Sequence, residues 1–214
     1  DVKTGVQPAG ADVALGGVVT AVAAPRFWVQ VPEADHDPVH GFKYSGVYVY
    51  VPEANPGSIP IPEVGDVVTF TASVKEWNGQ IQLDWVANVE ILASDVELPA
   101  PVVVAPQDVA TGGPDGEAYE GVLVRVEEQP VTALWPDFGE YVLADSLIVD
   151  DGIWLTQPFP LVGDELTITG PLMWTFNDYK LEPRGPQDVI EGMGLATFGP
   201  SPIHVLGGDG PTTA

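Results

Sequence analysis

The feature that most constrains the fold of this chain is an internal duplication. Val64-Gly65-Asp66 is followed by the run VVTFTASVKEWNGQIQL, and Val162-Gly163-Asp164, 98 residues further along, is followed by ELTITGPLMWTFNDYKL. Each run alternates apolar and polar positions, turns, and resumes towards a leucine. Alternation with a period of two is typical of β-strands that bury one face. The duplication therefore predicts two copies of one small β-unit.

A hairpin turn is predicted at the same place in both copies. Asn78-Gly79 interrupts the alternation in the first copy, and Asn177-Asp178 interrupts it in the second. Asn-Gly suits a type I′ turn because both residues accept a positive φ angle. We therefore expect the fourth and fifth strands of each copy to form a hairpin.

Three further strands are predicted upstream of each hairpin, and no segment shows a strong helical period. The two copies then contain five strands each, which predicts an all-β chain of two tandem OB-like five-stranded barrels. Short helical turns are expected in the connections, at 106–110 and 185–190, where a proline suits a first helical turn. The predicted first, second and third strands are 17–22, 27–30 and 46–51 in copy one, and 121–126, 141–144 and 152–155 in copy two.

The length of 214 residues also favours two domains, because domains commonly contain about 100 to 150 residues. The predicted boundaries are a first barrel over 1–95, a linker rich in Pro, Gly and Ala over 96–117, and a second barrel over 118–192. Residues 193–214 are expected to form a C-terminal strap or linker. The 24 glycines and 22 prolines fit many turns between short strands better than disorder.

The charge is strongly one-sided, with 7 basic and 31 acidic residues and a net charge of −24. Nucleic acids and anionic membranes attract proteins through Lys and Arg, so this composition disfavours both as partners. An acidic surface favours solubility in a salty medium, where screening weakens self-repulsion, or in calcium-rich surroundings.

Cysteine is absent, which excludes disulfides and thiolate metal sites. No apolar run approaches the roughly 20 residues of a membrane-spanning helix. We expect a monomer without a membrane span, located extracellularly or on the outer cell surface, with a secretion leader removed before Asp1. No cofactor is expected.

The order of the strand motifs resembles a known family. G-V-V-T-A-V, F-W-V-Q, S-G-V-Y-V-Y, V-G-D-V-V-T-F-T and N-G-Q-I-Q-L follow one another as in the OB-like domains of bacterial extracellular nucleases and related secreted or lipoprotein-anchored proteins of the myxobacterial type. The resemblance covers about residues 12–191 and implies the fold. The chain departs from the pattern at Ala72, where copy two keeps Gly170, and at Gln30-Val31. Nothing in it resembles the separate catalytic domain of the nucleases.

Aromatic side chains are the main candidates for ligand binding, because OB barrels bind oligonucleotides or oligosaccharides on the face of strands two and three. Tyr48 and Tyr50 share one face of a predicted strand, and Val47, Val49 and Val51 share the other. The valine face makes the better core, so the tyrosines are predicted to point outwards. The alternative is that half of these rings pack inside the barrels and the others cover the junction between the domains. The full candidate set is Trp28, Tyr48, Tyr50, Trp77, Tyr141, Trp154 and Trp174.

One loop has the residue types of a metal site. Asp35, His36, Asp37 and His40 offer carboxylate and imidazole ligands within six positions. The alternative is an ordinary polar insertion between strands two and three.

Other constellations indicate no specific chemistry. Asp145, Asp150 and Asp151 invite a calcium site but lack the alternating spacing of an EF-hand loop, so local turn hydrogen bonds explain them more simply. There is no G-x-S-x-G motif and no phosphate-binding glycine loop. We therefore expect no catalytic site.

These features favour a non-catalytic secreted or cell-surface module, either a spacer or a binder of a carbohydrate, peptide or protein. The alternative is a nucleic-acid-binding accessory module related to extracellular nucleases. Single-stranded DNA would require basic residues to cluster beside exposed aromatic rings. A third possibility is an acidic adhesive segment stabilised by calcium.

Overall fold

The computed structural model describes residues 7–55 and 59–192, and it confirms that the chain is all-β. The sheets lie in two units that follow the duplication. Within the described residues, no helix has the length and apolar character needed to cross a membrane. The first unit contains β1 (Asp12–Ala23), β2 (Arg26–Gln30), β3 (Gly46–Tyr50), β4 (Val67–Trp77) and β5 (Gln80–Ala93).

The first unit is a closed barrel with strand order β1-β2-β3-β5-β4. Its closure depends on β1, which pairs with β4 along its first half and with β2 along its second, with a bulge between Val19 and Ala21. Strand β4 shows how the sequence specifies the inside of this first barrel. Its apolar residues Val68, Phe70 and Val74 are buried, while the threonines between them are half-buried. The alternation read from the sequence is thus the barrel core.

The second unit repeats this arrangement with additions. Strands β7, β8, β9, β11 and β10 pair in a ring in the same order as the first barrel, and β6 and β12 extend the sheet. We call it the second sheet. Its core contains valines, leucines and one tyrosine, Tyr141. The strands are β6 (Val102–Val103), β7 (Leu123–Trp135), β8 (Glu140–Leu143), β9 (Leu147–Val149), β10 (Glu165–Thr175), β11 (Asp178–Leu181) and β12 (Val189–Glu191).

Two local predictions in the second copy are wrong. The β10–β11 turn has Phe176 and Asn177 at its centre, both with positive φ, instead of Asn177 and Asp178. The third strand is β9, not 152–155. Ala144 and Asp145 also take positive φ, so the chain reverses directly after β8, and Leu147 is fully buried in the core. The long loop that precedes the third strand in copy one is therefore absent from copy two, while both copies have a long connection after that strand.

The segment predicted as a linker packs on the second sheet. Strand β6 pairs in parallel with β7, and two short helices follow it, α1 (Pro106–Val109) and α2 (Gly116–Tyr119). Val109 is fully buried in the core of the second sheet. Helix α1 and a 3₁₀ turn at Pro186–Asp188 are the expected helical turns. The predicted C-terminal strap, 193–214, lies outside the described residues.

The two units meet in an interface that we call the joint. The buried Gln30 side chain of the first barrel accepts a hydrogen bond from the Leu123 amide of the second sheet, at 2.9 Å. Beside it, Gly46 and Gly121 bring the two backbones together. A Cβ atom added at Gly46 would lie closer than 3.0 Å to the backbone of Gly121, so only glycine fits there. The joint is thus hydrogen-bonded and tightly packed.

Aromatic rings fill the apolar part of the joint. Trp28 and Tyr48 lie on the outer face of the first barrel, with ring centroids 5.3 Å apart, and Met173 of the second sheet packs against them. Trp28 is 0% exposed and Tyr48 is 6% exposed. Polar bonds border this cluster, since Arg184 donates to the carbonyl of Thr20 at 2.9 Å.

The joint can be tested at its closest point. We expect Gly46→Ala to lower the free energy of unfolding by about 1 to 3 kcal/mol, because the new methyl group must push two backbones apart. Denaturant unfolding of both proteins measures this loss. Gly185→Ala is the matched control, because its Cβ would meet only the end of the Gln187 side chain, which is free to move. Equal stability of the two variants would contradict this packing.

Candidate functional site

A cleft with both aromatic and charged lining lies on the second sheet and borders the joint. We call it the acidic cleft, and its volume is about 570 Å³. Three exposed aromatic rings line it, Trp135, Phe138 and Phe176, which are 43%, 71% and 86% exposed. Its remaining lining is Arg26, Glu140, Ile148, Asp150, Asp151, Gly152, Met173, Thr175, Asp178, Lys180 and Glu182.

Strand geometry explains why these side chains share one face. On β11, Asp178 and Lys180 point to the cleft, and Glu182 follows two positions later on the same face. The intervening Leu181 points the other way and is fully buried in the core. The period of two therefore turns one strand into an apolar inner row and a charged outer row.

A buried ion-pair network forms the floor of the acidic cleft. Lys180 is only 3% exposed and donates hydrogen bonds to Glu140 and Asp150, the latter at 3.2 Å. Burial opposes the charge on this lysine, but the hydrogen bond to Glu140 and the attraction of Asp150 outweigh it and raise the pKa of Lys180. Its ammonium also lies 5.3 Å from the centre of the Phe176 ring. Lys180 thus contacts two carboxylates and the ring of Phe176.

Glu182 lies behind this network, 1% exposed, with Gly152 packed against its carboxyl group. Burial, followed by the negative charge of Asp150, raises the pKa of Glu182 to about 8, although Arg26 and Lys180 act in the opposite direction. Its Oε2 atom has no hydrogen-bond partner among the described residues. The carboxyl group is therefore protonated at neutral pH.

Asp151 is the exposed carboxyl group at the mouth of the acidic cleft. Partial desolvation and the neighbouring charge of Asp150 raise its pKa. Unlike Asp150, which is hydrogen-bonded to Lys180, it has no ion pair to a lysine or arginine within the described ranges. The mouth of the cleft thus presents a carboxylate that lacks a counter-charge.

A second cleft joins the two duplicated hairpins. We call it the hairpin cleft, and its volume is about 510 Å³. The indole Nε1 of Trp174 donates to the carbonyl of Asn78 at 2.8 Å, which ties one hairpin tip to the other. Trp77 is 57% exposed beside them. Thr175 and Phe176 line both clefts, so the two clefts adjoin.

The structure places the predicted aromatic residues in several environments. Trp77 and Trp174 come together in the hairpin cleft, and Trp154 is half-buried in a separate cleft of about 400 Å³. Tyr141 is 1% exposed inside the second core. The remaining three, Trp28, Tyr48 and Tyr50, belong to the joint.

The two tyrosines of β3 point out of the barrel as predicted, since Val47 and Val49 occupy its core. They are nevertheless covered, because the second sheet packs over that face. Trp28 and Tyr48 are thus corrected from ligand-binding to interface residues, and Tyr50 is half-buried against the same cluster.

The exposed cleft-lining rings that the sequence missed are Trp135, Phe138 and Phe176. Each stands at the end of a strand or in a turn, where no alternation assigns a face. Phe176 occupies the position that the Asn-Gly turn of copy one assigns to asparagine, and this alignment of an aromatic residue with a turn residue is the signal that the sequence contained.

The side chains of the predicted metal loop make local contacts instead of converging on one point. The carboxylate of Asp37 accepts the amide of Val39 at 2.6 Å and lies 3.6 Å from the ring of His40. The ring of His36 is hydrogen-bonded to the carbonyl of Val31 at 2.9 Å. The four predicted ligands, Asp35, His36, Asp37 and His40, line a cleft of about 320 Å³. No three Asp, Glu or His side chains within 7–55 and 59–192 are grouped to hold a metal ion.

The buried network makes a first prediction about the acidic cleft. We expect Lys180→Met to lower the free energy of unfolding by about 3 to 5 kcal/mol, because it leaves two buried carboxylates without their cation. Chemical denaturation at neutral pH measures the change. Arg125→Met removes an exposed pair with Glu127 and should cost about 0 to 1 kcal/mol. A loss at Lys180 no larger than this control would show that the network is not a buried one.

Glu182 makes a second prediction through the pH dependence of stability. The folded state binds its proton more tightly than the unfolded chain, whose ordinary pKa is 4.5, so this contribution is lost as pH rises from 4.5 towards 8. Glu182→Gln removes the titration and keeps the shape. We expect the variant to gain stability relative to the native chain by roughly a few kcal/mol between pH 5 and pH 8.5.

The measurement is urea unfolding across this pH range, with the exposed Glu191→Gln as control. Parallel stability curves for the native chain and Glu182→Gln would contradict a buried, protonated Glu182.

Comparison with known proteins identifies no relative of this chain, so the function must be inferred from the two clefts themselves. No protein-family model matches the chain, and no curated protein matches it in sequence. The likeness to the OB-like domains of extracellular nucleases therefore stays a prediction from strand and turn motifs.

Proposed function

We propose that this chain is a non-catalytic, secreted or cell-surface binding module whose ligand is an oligosaccharide. The ligand lies along the acidic cleft and the hairpin cleft. The observation that carries this proposal is that the two clefts adjoin at Thr175 and Phe176, because this places exposed aromatic rings side by side along the surface. Extended clefts with aromatic walls and a few polar groups are typical of ligand sites.

The aromatic rings supply the stacking surfaces. Phe138 and Phe176 are the most exposed large rings of the described chain, and Trp77 continues the series in the hairpin cleft. Exposing such rings to water is unfavourable unless a partner covers them. The apolar face of a sugar ring is a fitting partner, because it stacks on a flat aromatic ring and leaves its hydroxyl groups at the edge.

The polar groups along the two clefts suit hydroxyl groups. Asn78, Gln80 and Asn177 line the hairpin cleft, and Asp151 and Asp178 line the acidic cleft. Amide and carboxylate groups both accept hydrogen bonds from hydroxyls, and the amides also donate. This set matches a hydrated, polyhydroxylated chain.

The charges favour a saccharide over a nucleic acid. Lys180 is bound by Glu140 and Asp150, and Lys75 is 3.0 Å from Asp84 while its ammonium lies 4.9 Å from the Trp77 ring centre. The cations nearest the rings are thus already neutralised. Binding to single-stranded DNA would need free cations to contact phosphates. An accessory role beside a nuclease is accordingly the second candidate, which the resemblance alone supports.

The proposal that the module is non-catalytic rests on the state of its titratable groups. Glu182, which has the acid–base character of a catalytic group, lines the cleft but is only 1% exposed. The rings of His36 and His40 are engaged with Val31 and Asp37 in a different cleft. Neither arrangement sets a general acid against a bound ligand.

Binding to an array of neutral and charged oligosaccharides tests the proposal, followed by calorimetry on the positive members. We expect Phe138→Ala and Phe176→Ala each to weaken binding at least about tenfold, since truncating a central ring commonly costs more than 1 kcal/mol. Both rings are exposed, so folding should be unchanged.

Leu161→Ala is the matched control, because Leu161 is 68% exposed and lies outside both clefts. Equal binding by all three variants would contradict this site. Binding of single-stranded DNA but of no saccharide would favour the second candidate.

A further inference from the structure

We propose that the saccharide carries a free amino group, and that the acidic cleft binds this group as an ammonium ion at the carboxylate of Asp151. This inference rests on the proposed function and specifies the ligand class. Amino sugars that are not acetylated have this chemistry.

The first observation is an imbalance of charge in the lining. Only two cations are present, and both are engaged. Lys180 is bound by two carboxylates, and Arg26 donates to the carbonyls of Ala23 and Gly152, at 3.3 and 2.8 Å. Against them stand the carboxyl groups of Glu140, Asp150, Asp151 and Asp178, and Glu182 adds a fifth carboxyl group that is protonated at neutral pH.

The second observation is the buried carboxyl group of Glu182. It is 1% exposed, it lines the cleft, and its Oε2 atom has no hydrogen-bond partner among the described residues. A buried carboxyl group without a partner costs free energy that a nearby positive charge would recover. Because Glu182 is enclosed, it responds to a ligand cation without touching it, by losing its proton, whereas the exposed Asp151 makes the contact.

The third observation is the aromatic rim. Phe138 and Trp135 line the same cleft as Asp151, and Phe176 already has the ammonium of Lys180 5.3 Å from its ring centre. Aromatic faces attract ammonium groups. A rim of rings around an uncompensated carboxylate is therefore selective for a cation attached to an apolar surface, and the stacked face of an amino sugar provides both.

Binding of a cationic saccharide should release a proton from the protein, whereas binding of an uncharged saccharide should not. A ligand ammonium would favour the ionised form of Glu182, which also faces Arg26, Lys180, Asp150 and Asp151. Its proton would then be released as the ligand binds. Calorimetry in two buffers with different ionisation enthalpies reports this release directly.

The test compares glucosamine oligomers, N-acetylglucosamine oligomers, neutral glucose oligomers and oligolysine on the full chain near pH 5.5, where the amines are charged and Glu182 of the free protein is protonated. We expect glucosamine oligomers to bind at least tenfold more tightly than their acetylated forms, with release of a proton. Asp151→Asn should remove this preference, so that the amino and acetylated oligomers bind the variant equally. Glu182→Gln should abolish the proton release. Asp145→Asn, a change in an exposed turn outside the cleft, is the control and should change neither.

The outcomes separate this inference from the proposed function. Equal affinity for the amino and acetylated oligomers would overturn the inference, while the saccharide site would stand. An absence of binding to every saccharide would overturn the proposed function as well. Oligolysine binding that matches glucosamine, with no affinity for neutral oligomers, would show that the cleft binds ammonium groups of peptides, and it would overturn the assignment to a sugar.

Discussion

The rest of the structure depends on the burial of one aromatic face of the first barrel. Trp28 and Tyr48 lie on the outer side of β2 and β3. They are shielded from solvent because Met173 and Ile153 of the second unit pack against them. The hydrogen bond between Gln30 and the Leu123 amide fixes the register of this contact. Burial of two large aromatic side chains contributes several kcal/mol of hydrophobic free energy, about 1.5 to 3 for each. The two units therefore form one joined body around these rings.

The joint explains why two copies of one unit have different surfaces. In copy one, the outer face of the second and third strands has Trp28 and Tyr48, which need cover. The corresponding strands of copy two place Glu140 and Ile148 on their outer face, towards the acidic cleft. The duplicated strands thus conserve the inner, apolar row, while the outer row is free to differ. The outer row of the first copy builds the joint, and that of the second lines a cleft.

The fold was predictable because it depends on local patterns. The V-G-D hairpins and the alternation in β4 specified strands, turns and core, and the buried Val68 and Phe70 confirm the assigned face. The third strand of copy two was missed, since the short segment Leu147–Val149 follows a tight turn without glycine or proline. A pattern of three residues is too short to show a period.

The candidate site was less predictable, because it is made by tertiary contacts. Alternation correctly turned Tyr48 outwards, but no local pattern says that another unit covers that face. Lys180 and Glu182 read as ordinary charges in the sequence, and they become a buried network only when β8 and β11 come together. The same holds for the hairpin cleft, which requires Trp174 to reach Asn78 across the two units.

The most direct test of this account is hydrogen exchange at the indole N–H groups of the six tryptophans, followed by NMR. The indole nitrogen of Trp28 is buried without a hydrogen-bond partner among the described residues, so only the closed joint protects it. The account predicts that Trp28 exchanges far more slowly than Trp85, which is 47% exposed. Exchange of Trp28 at the rate of Trp85 would show that the face is open in solution, and it would contradict the joint.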